Sequence, residues 1–326
     1  MKKIVLVLAG LFTALSVTAC AKKNDSNKND EGLKVVTTFY PVYDFTKSIV
    51  GDKGEVSMLL SGEIEPHDYE PSAKDIAKIQ SADIFVYSSE EMETWVSSVL
   101  ANIDTDKTKV VEASKGIDFL EEAEEHEHAQ EADSHEHEDE HDHEVEDHEG
   151  HHHEVDPHVW LSPLLAKKQV ATITKGLIEV DEKNSDFYQA NADSFKTRLD
   201  DLDHDFHAAF QDATNKTFVT QHAAFGYLAN EYGLDQVSIA GLTPDIEPSP
   251  KQLAALQDFV KESHVHYIYV EQSGSSKYAD TISKATGADV LTLSTLETVS
   301  SKDIEDGKDY FSIMNDNLDA LKQSIN

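Results

Sequence analysis

The chain has one cysteine, Cys20, in 326 residues. A single thiol excludes an internal disulfide and a zinc finger built on paired cysteines, so neither stabilises this fold. Positive charge is also scarce: 27 Lys+Arg stand against 63 Asp+Glu, a formal net charge of −36. A chain this acidic repels nucleic acid and anionic lipid, and its natural small partners are cations. With 14 Gly and 8 Pro, the composition is not fibrous or low-complexity throughout. The apolar run from Ile4 to about Val17 stops short of the ~20 residues that cross a bilayer. What is present is 39% apolar residues over a length that allows about two domains with cores of their own.

Residues 1–19 read as a secretory signal: two lysines, the apolar run, then small residues up to the cysteine. Val17-Thr18-Ala19-Cys20 resembles a bacterial lipobox, in which Cys20 becomes the acylated first residue of the mature chain. The plainer alternative is an ordinary signal cut near Ala19. Residues 20–32 are too polar to fold and are expected to act as a flexible tether. The resulting location is the extracellular face of the cell membrane, on a lipid anchor, in a Gram-positive cell.

From Leu33 short β-branched runs alternate with amphipathic stretches, the pattern of α/β layering. Strands are expected at 34–38, 55–60, 83–87 and 109–112, with helices near 42–50, 72–80 and 92–101. A second set repeats the grammar, with strands at 217–220, 236–239, 267–270 and 290–293. Its helices are expected near 224–232, 250–263, 277–286 and 310–324. Ser72 with Asp75, and Ser249 before Pro250, are good helix starts. Between the sets, Phe187, Ala190, Phe195, Leu199, Leu202 and Phe206 fall at helical spacing in one helix over about 184–213. The expected architecture is two parallel-sheet (β/α)4-like lobes, 33–160 and 215–326. A helical segment, 161–214, joins them rigidly, so the lobes should move little against each other.

Residues 121–154 hold 10 of the 17 histidines and 17 of the 63 acids. No packed core can form from such a segment, which reads as a disordered insertion in the first lobe. An acidic solvating tail or a pH-responsive loop is the plainer alternative, but solubility alone would call for Glu and Asp. Ten imidazoles beside carboxylates suit weak, exchangeable capture of Zn²⁺ or a similar borderline ion.

Seven histidines remain, and three lie where open α/β sheets build ligand sites, in the loops beyond the strands. His67 sits in Glu65-Pro66-His67-Asp68 before a capped helix, and His158 in Asp156-Pro157-His158-Val159-Trp160 before another. His222 directly follows Thr217–Thr220. His204, His207, His264 and His266 read as structural or surface residues. Three imidazoles leave one place in a tetrahedral zinc site. Glu271 and Glu297, each after a strand of the second set, and water are the candidates for it.

The runs Val35–Tyr40, Gly62–Asp83 around His67, Asp156–Pro163 around His158 and Gln221–Ala229 resemble the metal-binding lipoproteins of ABC importers. They are similar to the zinc branch, the AdcA/ZnuA type, over nearly all of the mature chain. The resemblance implies three imidazole ligands at His67, His158 and His222. It implies a fourth at Glu297, in Ser294-Thr295-Leu296-Glu297, where Thr295 replaces the proline of the family's turn. It also implies a non-enzymatic monomer that takes Zn²⁺ as cargo and passes it to an ABC permease with its ATPase. AdcA-type chains commonly carry a further C-terminal metal-binding domain, which this sequence, ending at Asn326, is read as lacking. A manganese-binding or adhesin-like member of the same family and a zinc hydrolase are the alternatives. His222 argues against manganese, whose branch has a carboxylate at the third position.

Overall fold

The computed structural model describes residues 32–62, 64–121, 155–244, 248–272 and 276–326. The expected leader, Cys20, and nearly all of the tether and of the histidine tract lie outside them. Among the described residues, no helix is long and apolar enough to cross a membrane.

The first lobe is built on β1 (Leu33–Thr37), β2 (Gly54–Met58), β3 (Ile84–Tyr87) and β4 (Lys109–Glu112), all parallel in the order β2-β1-β3-β4. Helices α1 (Tyr40–Val50), α2 (Ala73–Gln80) and α3 (Val96–Leu100) make the crossovers. Val35, Val36, Ile84, Phe85 and Val86 are buried, as expected where both faces of a parallel sheet are covered. Two short antiparallel strands follow, β5 (Leu120–Glu121) and β6 (Val155–Asp156), flanking the position of the histidine tract.

The chain then forms α4 (Pro163–Val180) and α5 (Ser185–Phe210), which pack together. The 26 residues of α5 span about 39 Å at 1.5 Å each. Tyr188, Phe195, Leu199, Leu202, Phe206 and Phe210 form its buried stripe.

In the second lobe, β7 (Thr217–Thr220), β8 (Asp235–Ser238), β9 (Tyr267–Val270) and β10 (Asp289–Thr292) are parallel in the order β10-β9-β7-β8. Read from the other edge, this is the strand order of the first lobe. Its helices are α6 (Gly226–Tyr232), α7 (Pro250–Glu262), α8 (Lys277–Thr286), α9 (Ser301–Glu305) and α10 (Tyr310–Leu321). One apolar core runs from β1 through α4 and α5 to Tyr269 and α10. Polar bonds close the same seam: the Tyr40 hydroxyl donates to the Lys308 carbonyl at 3.1 Å, and that of Tyr310 to the Trp160 carbonyl at 2.7 Å.

Helix starts fall where capping places them. The Ser72 hydroxyl accepts from Asp75 N while the Asp75 carboxylate accepts from Ser72 N, and Ser249 with Gln252 does the same. Each such cap contributes about 1 kcal/mol. One expectation needs correction: the helix placed over 92–101 begins only at Val96. Residues 88–95 turn instead, because the Glu93 side chain folds back to accept from the backbone N–H of Ser88 and Ser89, at 2.9 Å each.

Candidate metal site

The four side chains singled out above arrive from four different segments. His67 stands in the β2–α2 loop, five residues before the Ser72 cap. His158 precedes a single 3-10 turn, Val159–Leu161, that leads into α4, whose start is set by Ser162 accepting from Leu165 N and by Pro163. His222 follows β7, and its carbonyl accepts from Thr220 Oγ1 at 2.8 Å and from Gln236 Nε2 at 3.1 Å. Glu297 follows β10, one residue after Leu296, which adopts a left-handed φ of 62°.

These side chains converge. His67 Nε2 lies 3.3 Å from both His158 Nε2 and Glu297 Oε1. His158 Nε2 lies 2.8 Å from Glu297 Oε1, and His222 Nε2 lies 3.7 Å from Glu297 Oε2. The four donor atoms all fall within 4.8 Å of one another. The side chains of His158, His222 and Glu297 are at most 1% exposed, and that of His67 is 8% exposed. His67 also lines a cavity of about 640 Å³ with Asp68, Tyr69, Glu70 and Trp95.

The outer ring nitrogens are held from behind. His158 Nδ1 is 2.7 Å from Asp156 Oδ1, which also accepts from His158 N at 2.9 Å. His222 Nδ1 is 2.5 Å from Glu271 Oε1. Both imidazoles are thereby turned so that Nε2 faces the centre, the usual way a carboxylate orients a metal-binding histidine. Glu271, left open as a ligand from the residues alone, stands behind His222. It also closes on the centre with Glu65 and Glu297, with one carboxylate oxygen of each within 4.8 Å of the others. Thr295, which replaces the expected proline, has its hydroxyl 2.9 Å from Glu297 Oε2 and 3.2 Å from Glu271 Oε2. Its carbonyl accepts from Trp160 Nε1 at 2.8 Å. The positioning roles of Asp156, Glu271 and Thr295 escape sequence reasoning. For Asp156 there was a signal, an acid two residues before a candidate ligand.

The electrostatics are those of a shared proton. Burial works to lower the His158 pKa, but the Glu297 charge and the Asp156 hydrogen bond outweigh it and raise the pKa to about 10. Burial likewise works to raise the Glu297 pKa, and His158, His67 and His222 together drive it well below the usual carboxylate range. In a dry cleft a divalent cation can take the place of that proton. His222 Nε2 is buried without a hydrogen-bond partner, which is costly for an imidazole nitrogen unless something binds it. Among the other histidines, His207 packs edge-on against Tyr232 with ring centroids 5.1 Å apart. Its donor atoms also fall within 4.8 Å of those of Asp203 and Glu231, at a more exposed position.

Two like-built lobes with a polar centre between them define the class, that of the two-lobed solute-binding proteins. The profile described as zinc-uptake complex component A, periplasmic, matches residues 35–324. The high-affinity zinc uptake system protein ZnuA of Bacillus subtilis is 48% identical over 322 residues, covering 98% of this chain and 96% of that one. The zinc-binding lipoprotein AdcA of Streptococcus pneumoniae is 44% identical over 328 residues. That match covers 99% of this chain but 61% of AdcA, so the chain spans under two thirds of that relative. The crystal structure of the Zn(II)-bound ZnuA-like domain of Streptococcus pneumoniae AdcA superposes with a TM-score of 0.74 at 41% identity, covering 90% of this chain and 98% of that domain. The chain belongs to the zinc-uptake complex component A family.

Proposed function

We propose that His67, His158, His222 and Glu297 together hold one Zn²⁺ as cargo. On this reading the chain captures zinc outside the cell and delivers it to an ABC-type zinc permease and its ATPase. The observation that carries the reading is the spacing of the donors. A tetrahedral zinc ion with bonds of about 2.0–2.1 Å needs donor atoms about 3.3–3.4 Å apart. His67 Nε2, His158 Nε2 and Glu297 Oε1 stand 2.8–3.3 Å apart, His222 Nε2 stands 3.7 Å from Glu297 Oε2, and all four donors fall within 4.8 Å, close to that edge. Four protein donors make a holding site, whereas catalytic zinc keeps a position for water. The relatives' names support the choice of metal, and three imidazoles favour zinc over manganese on the Irving–Williams order.

The finer parts of the proposal are anchoring through acylated Cys20, a monomeric state, and loose capture of ions by the histidine tract that feeds the cleft. Calorimetry with Zn²⁺ and Mn²⁺ on the wild type and on His222→Ala tests the site. Tight zinc binding that His222→Ala abolishes is expected, and tight manganese with weak zinc refutes it. Cys20→Ala should release the protein into the medium, and retention on the membrane refutes the anchor.

A further inference from the structure

One of the contacts from the second lobe to the first bears on the metal centre without involving a donor. Tyr227, on α6, donates its hydroxyl hydrogen to the Asp156 carbonyl at 2.6 Å, and the same oxygen accepts from Leu120 N at 2.9 Å. Leu120 and Asp156 are partners in the β5–β6 pair, so this hydroxyl bridges the two strands that flank the histidine tract. The Tyr227 ring is buried in a small apolar cluster with Ile117 and Val159, which fixes where the hydroxyl points. The residue before it, Gly226, lies against the side chain of Asp156. A Cβ there would meet Asp156 Oδ2 at 2.6 Å, closer than any real contact permits, and the φ of Gly226 is not among the positive ones. A side chain here would have to push the Asp156 carboxylate aside, so the glycine serves space and not backbone conformation. The other oxygen of the same carboxylate, Oδ1, holds both His158 N and His158 Nδ1.

We infer that Gly226 and Tyr227 form a positioning clamp: from the second lobe they fix Asp156, and through it the direction of the His158 imidazole, while tying the base of the histidine tract to the metal centre. Neither residue touches the ion. Gly226 sets the room in which the carboxylate can lie, and Tyr227 sets the backbone that carries it. Because the two lobes must be together for the contact to exist, bringing them together completes His158 as a ligand. Coupling of this kind is reciprocal, so zinc in the cleft should also tighten the strand pair at the base of the tract.

The inference rests on the zinc reading above, and the test separates the two. It uses the full chain, with Zn²⁺ in competition against a chelator and Co²⁺ added below one equivalent as a spectroscopic probe. Gly226→Ala should displace the Asp156 carboxylate, weaken zinc about 10- to 100-fold, the range typical of groups that hold a metal ligand from behind, and shift the visible bands of bound Co²⁺. Tyr227→Phe keeps the ring and removes only the bridge. It should weaken zinc by roughly 10-fold, the lower end of that range, and abolish the zinc-dependent slowing of amide exchange in 117–121 and 155–157. Should Gly226→Ala not fold, Tyr227→Phe decides alone. Wild-type affinity with unshifted cobalt bands, or zinc-independent exchange at the strand pair in the wild type, overturns the clamp and leaves the zinc reading standing. Equal zinc binding by the wild type and His222→Ala fails the zinc reading, and this inference with it.

Discussion

The two lobes share a strand order yet treat the same place in opposite ways. In each, the crevice opens between the first and third strands, where the strand order switches direction and α/β sheets bind ligands. In the first lobe, the ends of β1 and β3 close on Glu93, whose carboxylate accepts from the Thr38 hydroxyl at 2.5 Å and from the N–H groups of Ser88 and Ser89. In the second, the ends of β7 and β9 present His222 and Glu271, with Glu297 entering after β10. The first lobe fills its crevice with its own side chain and brings His67 and His158 to the centre from loops beyond the sheet. The second leaves its crevice to the centre. A buried carboxylate among neutral donors pins strands, whereas one among imidazoles is ready to exchange a proton for a metal.

The contrast can be broken experimentally. The largest effect should come from the donors: His158→Ala or Glu297→Ala should lower zinc affinity by more than the ~100-fold upper range for supporting groups, and calorimetry reads it directly. A smaller loss, about 10- to 100-fold, is expected for Glu271→Gln, which leaves His222 in place but frees its ring to turn. If Glu271→Gln costs as much as Glu297→Ala, the two acids have been assigned to the wrong roles.

Proton competition comes next. The Glu297 charge and the Asp156 hydrogen bond raise the His158 pKa to about 10 in the metal-free cleft, so zinc should compete with a proton near neutrality, and affinity should rise roughly tenfold per pH unit for that one proton. Calorimetry in buffers of different ionisation enthalpy counts the protons released, and a count of zero contradicts the shared-proton picture.

Glu93 should behave differently. Burial raises its pKa from 4.5 to about 7, against the pull of the Ser88, Thr38 and Ser89 hydrogen bonds. Between those values the folded state binds the proton more tightly than the unfolded chain. Its contribution is therefore fully present below the lower value and lost as pH rises towards the upper one, by at most about 1.4 kcal/mol per pH unit. Glu93→Gln should flatten the fall in metal-free melting temperature between pH 5 and 8 and leave zinc affinity within about twofold, since its partners Thr38, Ser88 and Ser89 hold none of the four donors and sites without shared partners add independently. A zinc affinity that moves with Glu93 would erase the distinction between the two crevices.

Much of this was legible in the residues. The strand runs KVVE and TFVT, the Ser72 and Ser249 caps and the apolar stripe of α5 each follow a local rule, and the elements formed within about three residues of it. His67, His158 and His222 stood out because each follows a strand or precedes a capped helix. What local reading missed depends on contacts across the chain. The β5–β6 pair is two residues long on each side, too short for any periodicity. Glu93 looked like part of an amphipathic helix because its neighbours carry that pattern, and only the N–H groups of Ser88 and Ser89 reveal that it turns back. By position alone Glu271 and Glu297 could not be told apart, because each simply follows a strand, and only the resemblance to the AdcA/ZnuA type pointed to Glu297. The two ring nitrogens of His222 that distinguish them, Nδ1 facing Glu271 and Nε2 facing Glu297, are placed only by folding.

Diffraction at the zinc absorption edge from crystals grown with one equivalent of Zn²⁺ tests the account most directly. The expected result is a strong anomalous peak about 2.0–2.2 Å from the Nε2 atoms of His67, His158 and His222 and from a Glu297 carboxylate oxygen. A strong peak bound elsewhere, or one in the cleft held by Glu271 in place of Glu297, would contradict it.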